Sequence, residues 1–298
     1  MVLTSGLIVL GALVRAHGAG LACPDWPLCA GRLVPKFDLK VAFEWGHRAT
    51  AGIVLLCFSA LGVATFRNPA TRTRAGRLLP LAGLALLSQA LLGALTVWLR
   101  LAEWTVTAHL VVGNTFNACL LLLALRLRAP TEPRGLPSIP APLRLLVTAC
   151  AGLLALQLVL GGLVSSSYAG LACPEWPTCN GGLWFPTWHG GVGVHLLHRM
   201  NGYLFTLTLA MTCVAARWVA GLGRILGVAL TLALCQVAVG IANVRLGLPV
   251  EVTGLHSALA AGLVLALAAA TRRAWAIPRT SSGVDAVLHT GAVKEPHG

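Results

Sequence analysis

The stretch VRAHGAGLACPDWPLCAG at residues 14–31 returns as VSSSYAGLACPEWPTCNG at residues 164–181. Residues 89–109, which begin QALLG and end TAH, likewise match residues 236–256, which begin QVAVG and end in His. Apolar segments resemble one another by chance, but a shared ACP-acid-WP-x-C loop is not an apolar segment. The sequence therefore predicts two copies of one structural unit.

Composition places these units in a membrane. Hydrophobic residues make up 57% of the 298 residues and charged residues only 10%, whereas soluble domains are roughly 45–50% apolar and about 25% charged. Residues 1–14 form a short apolar stretch, which we expect to continue as a helix to about His17 or to have its true start clipped. Seven further stretches approach or exceed the roughly 20 residues that a spanning helix needs: 42–66, 78–99, 104–125, 143–164, 190–216, 222–242 and 253–271.

We therefore expect an all-α, polytopic membrane protein whose eight transmembrane helices form two tandem four-helix bundles. An even number of helices returns the chain to the same side, so the bundles are expected to be parallel and related by an axis along the membrane normal. The expected division is an N-terminal half at 1–128, a proline-rich cytoplasmic linker at 129–142, a C-terminal half at 143–272 and a cytoplasmic tail at 273–298.

The basic residues indicate the orientation. Most of the 22 Lys and Arg residues lie in the loops after the second, fourth and sixth helices or beyond the eighth. Lys and Arg favour the cytoplasmic side, so both termini are predicted to be cytoplasmic. Because the basic residues cluster at the ends of apolar runs, no nucleic-acid partner is expected despite a net charge of +13.

Histidines recur in register in the two copies. His47 and His198 lie near the starts of the second and sixth helices, and His109 and His256 lie near the starts of the fourth and eighth. All four helices enter from the same side of the membrane, so the four imidazoles are expected at similar depth. Ionisable residues inside spans are costly and usually mark functional sites.

Facing imidazoles suit haem better than zinc. Haem needs one or two axial imidazoles from facing helices and an apolar space for its ring, whereas zinc requires further ligands that the helices do not offer. The sequence thus predicts two haem-like sites, one in each half. His195 lies on the same helical face as His198, but the match of His198-Arg199 with His47-Arg48 selects His198 as the ligand.

The copies differ three residues before this histidine, where Glu44 in the first half corresponds to His195 in the second. The Glu44 carboxyl could reach the edge of a porphyrin bound at His47, or it could complement the dipole at the helix N-terminus. Arg48 and Arg199 are candidates for bidentate pairing with haem propionates, with snorkelling to the membrane surface as the equal alternative.

Four cysteines lie in loops on the oxidising side of the membrane. Cys23 and Cys29 in CPDWPLC, and Cys173 and Cys179 in CPEWPTC, each close a small loop whose two prolines favour a tight turn. Both pairs are predicted to be disulfides. The other five cysteines lie inside apolar runs and are expected to behave as small hydrophobic residues.

Taken together, the duplicated four-helix units, the loop GLACPDWPLC, the motif Glu44-x-x-His47-Arg48 and the three further histidines resemble haem A synthase. The resemblance covers about residues 1–272. It implies a haem-dependent oxidoreductase of the cell (plasma or inner) membrane. The implied reaction is oxidation of a methyl group of haem O to the formyl group of haem A, for the terminal cytochrome oxidase.

The resemblance also assigns residues and partners. It implies that His47 and His109 flank the substrate haem with Glu44 as the catalytic carboxylate, and that His198 and His256 ligate a resident haem b. The first cysteine pair matches the family's first-loop pair, whereas a second pair is a variable feature of the family. The expected partners are haem O and the lipid bilayer, with haem O synthase and a second copy of the chain as candidate protein partners; the electron donor is not identified.

Two other classes of function stay open on the residues. A bis-haem b-type cytochrome that only transfers electrons would use the same four histidines but would not need Glu44. A membrane thiol-disulfide oxidoreductase would use the cysteine loops, although such enzymes usually place a CxxC motif at a helix end and this sequence has none. A transporter is less favoured, because no helix has a central Gly/Pro break flanked by polar residues.

Overall fold

A computed structural model describes residues 1–128 and 138–276, and the regular secondary structure within these ranges is helical, with no strand. This confirms the predicted all-α class. A short 3₁₀ turn, Ala169–Leu171, follows the sixth of the α-helices. The helices are α1 (Val2–Ala16), α2 (Leu39–Arg67), α3 (Pro69–Ala75), α4 (Leu78–Trp98), α5 (Glu103–Leu127), α6 (Ala141–Ser166), α7 (Gly190–Ala215), α8 (Leu222–Arg245) and α9 (Val250–Ala274).

Six of these helices, α2, α4, α5, α6, α8 and α9, are long and apolar enough to cross a membrane. The protein is therefore a multi-pass membrane protein. Helix α1 is apolar but has only 15 residues. Helix α7 is long enough, with 26 residues, but it is not one of the six. Its mean hydropathy is lowered by four polar residues, His195, His198, Arg199 and Asn201.

Among the described α-helices, α3 is the one that the pattern of apolar residues does not predict. Its sequence, PATRTRA, contains no apolar periodicity, and we expected this segment to be a basic loop. Asn68 begins it by accepting hydrogen bonds from the N–H groups of Ala70 and Thr71, and Pro69 occupies the first helical position.

The predicted linker and tail lie mostly outside the described residues. Positions 129–137 and 277–298 belong to that part of the sequence. Of their described residues, 141–142 belong to α6 and 273–274 to α9.

The two halves use corresponding helices in corresponding contacts. In the N-terminal half (1–128), α1 packs against α2 and α4 against α5; in the C-terminal half (138–276), α6 packs against α7 and α8 against α9. Between the halves, α1 contacts α9, α5 contacts α6, and α5 also contacts α9. Two contacts differ: α7 packs on α8 whereas α2 and α4 barely touch, and α6 packs on α9 more extensively than α1 packs on α5.

The apolar interior is also unequal between the halves. The largest cluster among the described residues joins α6, α7, α8 and α9 through side chains such as Val147, Leu209, Leu226 and Leu267. The N-terminal half contains two smaller clusters. Large apolar side chains such as Leu56 are exposed on the outer surface of the helices, as expected where lipid replaces water.

Candidate functional site

In the N-terminal half, α2 and α5 bring His47 and His109 together. The centres of the two imidazole rings lie 6.4 Å apart, with the ring planes at 60°. Both Nδ1 atoms are buried, and the rings lie beside the backbone of the preceding helices, at Leu7 of α1 for His47 and at Gln89 of α4 for His109. Two imidazoles on opposite sides of one iron would have ring centres about 6 Å apart, because a metal–imidazole bond is about 2 Å long and each ring centre lies about 1 Å further away. The pair therefore fits a haem iron.

The matching residues of the C-terminal half are His198 on α7 and His256 on α9. Their Nδ1 atoms are again buried and have no hydrogen-bond partner within the described ranges. His198 follows the first residue of its helix by eight positions, as His47 does, so both histidines lie about 12 Å along their helices at a rise of 1.5 Å per residue.

A glycine on the preceding helix faces each of these two histidines. A Cβ built on Gly11 of α1 would lie 3.1 Å from Cε1 of His47, and one built on Gly161 of α6 would lie 3.0 Å from Cε1 of His198. These distances are shorter than the 3.5–4.0 Å or so of an ordinary carbon contact. Only glycine leaves the imidazole in its present position.

The other two histidines also have a glycine of the preceding helix beside the ring, with a tight approach at Gly240 and an ordinary contact at Gly93. A Cβ on Gly93 of α4 would lie 3.4 Å from Cε1 of His109, and one on Gly240 of α8 would lie 3.1 Å from Cε1 of His256. These glycines are not among the residues predicted from the sequence to be functional. The sequence does mark two of them, because Gly93 and Gly240 are the last residues of the repeated segments QALLG and QVAVG.

Glu44 lies in α2, is 4% exposed, and connects the helix to the first cysteine loop. Its Oε2 accepts a hydrogen bond from the N–H of Cys23 at 2.8 Å, and its Oε1 accepts one from Nη2 of Arg48 at 2.6 Å. The N-terminus of α2 is capped by Asp38, whose side chain accepts from the N–H of Val41 at 2.8 Å. Asp38 already supplies an acidic group at the N-terminus of α2. The alternative that Glu44 serves to complement the helix dipole is therefore weakened.

Both arginines donate to carbonyl groups of the cysteine loops. Arg48 donates to the carbonyls of Cys23, Asp25 and Leu28 at 2.6–3.0 Å. Arg199 makes the same kind of contact with the second loop. The guanidinium groups thus hold the loops against α2 and α7, and pairing with haem propionates stays a prediction.

His195 occupies the position of Glu44 but has a different partner. Its Nδ1 lies 3.0 Å from the carbonyl oxygen of Ala169, and the side chain is 4% exposed. His195 is therefore engaged with the loop after α6, whereas its neighbour His198 faces Gly161.

Each loop brings its two cysteines side by side. The Cα atoms of Cys23 and Cys29 lie 4.6 Å apart, those of Cys173 and Cys179 lie 4.3 Å apart, and all four side chains are buried. The two loops are therefore alike in shape as well as in sequence.

An acidic side chain closes each loop. Asp25 accepts hydrogen bonds from the N–H groups of Gly31 and Ala30 at 2.8 and 2.6 Å, and these bonds, that of Gly31 foremost, lower the pKa of Asp25 below its ordinary value. Glu175 accepts from Gly182 and from neighbouring groups of the second loop, which lowers its pKa in the same way.

Membrane-spanning helices with buried imidazoles between them define the class: a multi-pass membrane protein with histidine sites inside a helical bundle. The COX15-CtaA family, described as cytochrome oxidase assembly protein, matches residues 1–43 and 36–268. The chain belongs to this family.

Individual relatives agree with the family match. The chain is 31% identical over 316 residues to the haem A synthase of Shewanella oneidensis, covering 90% of this chain and 92% of the relative. It is 29% identical over 314 residues to the haem A synthase of Methylobacterium radiotolerans, covering 87% and 83%. It is also 29% identical over 345 residues to that of Methylorubrum extorquens, covering 97% and 88%. The resemblance drawn from the sequence motifs is confirmed.

Proposed function

We propose that this chain has haem A synthase activity and oxidises a methyl substituent of haem O to the formyl group of haem A for terminal oxidase biogenesis. The observation that carries the proposal is the His47–His109 pair, whose ring centres are 6.4 Å apart, in a chain whose relatives are haem A synthases over most of their length. Haem O is the substrate in this proposal, and the N-terminal half binds it.

The C-terminal half holds a resident haem b in our proposal. His198 and His256 would ligate it, and the glycines packed against both rings support a fixed ring position. A bis-imidazole haem supplies one-electron transfer. The protein's part is to fix the two rings and to keep water from the iron.

Glu44 is the proposed catalytic carboxylate. Oxidation of a methyl group through alcohol and hydrate stages releases protons, and Glu44 is the acidic side chain closest in sequence to the proposed substrate ligand His47. The N–H of Cys23 and the guanidinium of Arg48 orient its two oxygens. General acid–base catalysis by one such group typically accelerates a reaction about 10²- to 10⁴-fold.

The membrane arrangement that we propose is eight spans in two tandem, parallel four-helix bundles, with α3 as an additional short helix. Corresponding helix contacts in the two halves support an internal repeat, and the distribution of Arg supports cytoplasmic termini in the cell membrane. The neighbouring loop cysteines are proposed disulfides. Haem O synthase and a second copy of the chain stay predicted partners.

The two alternative classes fit less well. A cytochrome that only transfers electrons gives no reason for the buried Glu44. A thiol-disulfide oxidoreductase needs an accessible cysteine, whereas all four loop cysteines are buried. Neither class explains why the relatives are haem A synthases.

Substitution of Glu44 tests the proposal. Glu44→Gln keeps an oxygen that can accept from the N–H of Cys23, and Glu44→Ala removes it. Both variants should keep the resident haem b but accumulate haem O or its hydroxylated intermediate, with haem A formation about 10²–10⁴ slower, as measured by chromatography of extracted haems. Glu103→Gln, at an exposed acid in the first turn of α5, is the control and should make haem A normally. Normal haem A formation in both Glu44 variants would refute the catalytic assignment.

A further inference from the structure

In the C-terminal half, a polar network joins α6 and α7 beside a proposed haem ligand. Nδ2 of Asn201 donates to Oε1 of Gln157 at 2.7 Å and to the carbonyl of Leu153 at 3.1 Å. Nε2 of Gln157 donates to the backbone carbonyl of His198 at 3.1 Å. Three hydrogen bonds therefore hold the ligand-bearing turn of α7 against α6.

Gly202 makes room for this network. A Cβ on Gly202 would lie 3.1 Å from Nε2 of Gln157, so a larger residue there would crowd the amide. Nε2 of Gln157 also lies 3.4 Å from the ring Nε2 of His198. The hydrogen bond to the backbone carbonyl is the contact through which the amide holds the ligand residue. We call Gln157, Asn201 and Gly202 the clamp.

The N-terminal half has different residues at all three matching positions, Leu7, Thr50 and Ala51. Leu7 packs against an apolar cluster of its own half. The hydroxyl of Thr50 donates to the carbonyl of Gly46, one turn earlier on the same helix, at 2.8 Å. Neither side chain can form the amide network that joins α6 to α7.

The packing of the helices also differs between the halves, and α7 has more extensive contacts with its neighbours than α2 has. Helix α7 is held between α6 and α8, whereas α2 packs against α1 and the short α3 but barely touches α4. The largest apolar cluster of the described residues also lies in the C-terminal half. Segments with fewer buried contacts open at lower free-energy cost, so α2 is less firmly held than α7.

We propose that the clamp retains the resident haem, and that its absence around His47 lets α2 move so that the substrate haem enters and the product haem leaves. This inference rests on the proposed division into a substrate half and a resident-haem half. An enzyme whose substrate and cofactor are both haems needs one site that releases its haem and one that does not. The two sites have the same kind of ligands, so retention has to come from residues that hold the helices.

The first test transfers the N-terminal residues into the C-terminal half, as Gln157→Leu, Asn201→Thr and Gly202→Ala combined. Loss of haem b from the purified, detergent-solubilised full chain to excess apomyoglobin is followed by absorbance. We expect loss to be at least about tenfold faster than from the unaltered chain. Thr208→Val is the control, because the Thr208 hydroxyl donates only within α7, to the carbonyl of Leu204 at 2.8 Å. Equal half-times for the triple variant and the control would overturn the proposal.

The reciprocal variant, Leu7→Gln, Thr50→Asn and Ala51→Gly combined, leaves the clamp intact, so the resident haem spectrum reports that the protein has folded. We expect it to purify with additional haem bound and to turn over more slowly when haem O is supplied. Unchanged haem content and turnover would overturn the proposal. If the unaltered chain makes no haem A, the proposed function fails, while the apomyoglobin measurement still decides the role of the clamp.

Discussion

Replacing Gly240 by alanine should damage the resident haem site without touching a ligand. The new methyl group would lie 3.1 Å from Cε1 and 3.6 Å from Nδ1 of His256. An ordinary carbon contact needs roughly 3.5–4.0 Å, so the ring would have to retreat by about half an ångström. A ring that is also bonded to iron cannot do so, because metal–ligand distances are fixed to within about 0.2 Å.

The size of the effect follows from overpacking. An extra methyl group in a tightly packed site costs about 1–3 kcal/mol, which corresponds to roughly 5- to 150-fold weaker haem retention at 1.4 kcal/mol per tenfold. Helix propensity acts in the opposite direction, since alanine stabilises a helix interior by roughly 0.5–1 kcal/mol relative to glycine. Haem affinity should therefore fall while the helix itself is not weakened.

A control is available on the same helix. A Cβ on Gly227 would meet no described atom within 4 Å, so Gly227→Ala has the same propensity gain without the contact. The absorption spectrum of the purified protein should show loss of low-spin haem b, or conversion to high spin, in Gly240→Ala only. Identical spectra and haem contents in the two variants would refute the steric argument.

Three further predictions concern the resident haem and the loops. His198→Ala or His256→Ala should each lose haem b or make it high-spin, and an unchanged spectrum in both would contradict the ligand assignment. The four loop cysteines should resist alkylation until a reductant is added; free labelling of protein isolated without reductant would show that they are thiols. The pKa of Asp25 is lower in the folded loop than in the unfolded chain. Ionised Asp25 therefore stabilises the fold fully above the unfolded pKa of about 4, and this stabilisation is lost as the pH falls through the lower pKa of the folded state. The Tm difference between the unaltered chain and Asp25→Asn should accordingly be larger at pH 7 than below pH 4, and a pH-independent difference would argue against this role.

Much of the fold could be predicted because lipid imposes a simple rule on the sequence. Long apolar runs between Arg-rich ends locate α2, α4 and the later helices to within a few residues. The same rule fails for α3, because PATRTRA contains no apolar run and its helix depends on capping by Asn68. Short polar helices leave only local capping signals in a sequence.

The buried histidines of the candidate site could be identified from the sequence, but the residues that contact them in the structure could not. Repeat alignment identifies His47 and its three counterparts, since ionisable side chains are rare in apolar runs. The sequence cannot show that Gly11 faces His47, because that contact depends on how α1 packs against α2. Nor can it show that Arg48 donates to loop carbonyls, because the loop conformation decides where its guanidinium finds acceptors.

The most direct test of the central claim is the haem content of cells that make this chain together with a haem O source and no other haem A synthase. Haems extracted from the membranes are separated by chromatography and compared with those from cells lacking the chain. The account predicts that haem A appears only when the chain is present, with haem O consumed in proportion. Haem O that accumulates unchanged, with no haem A, would contradict it.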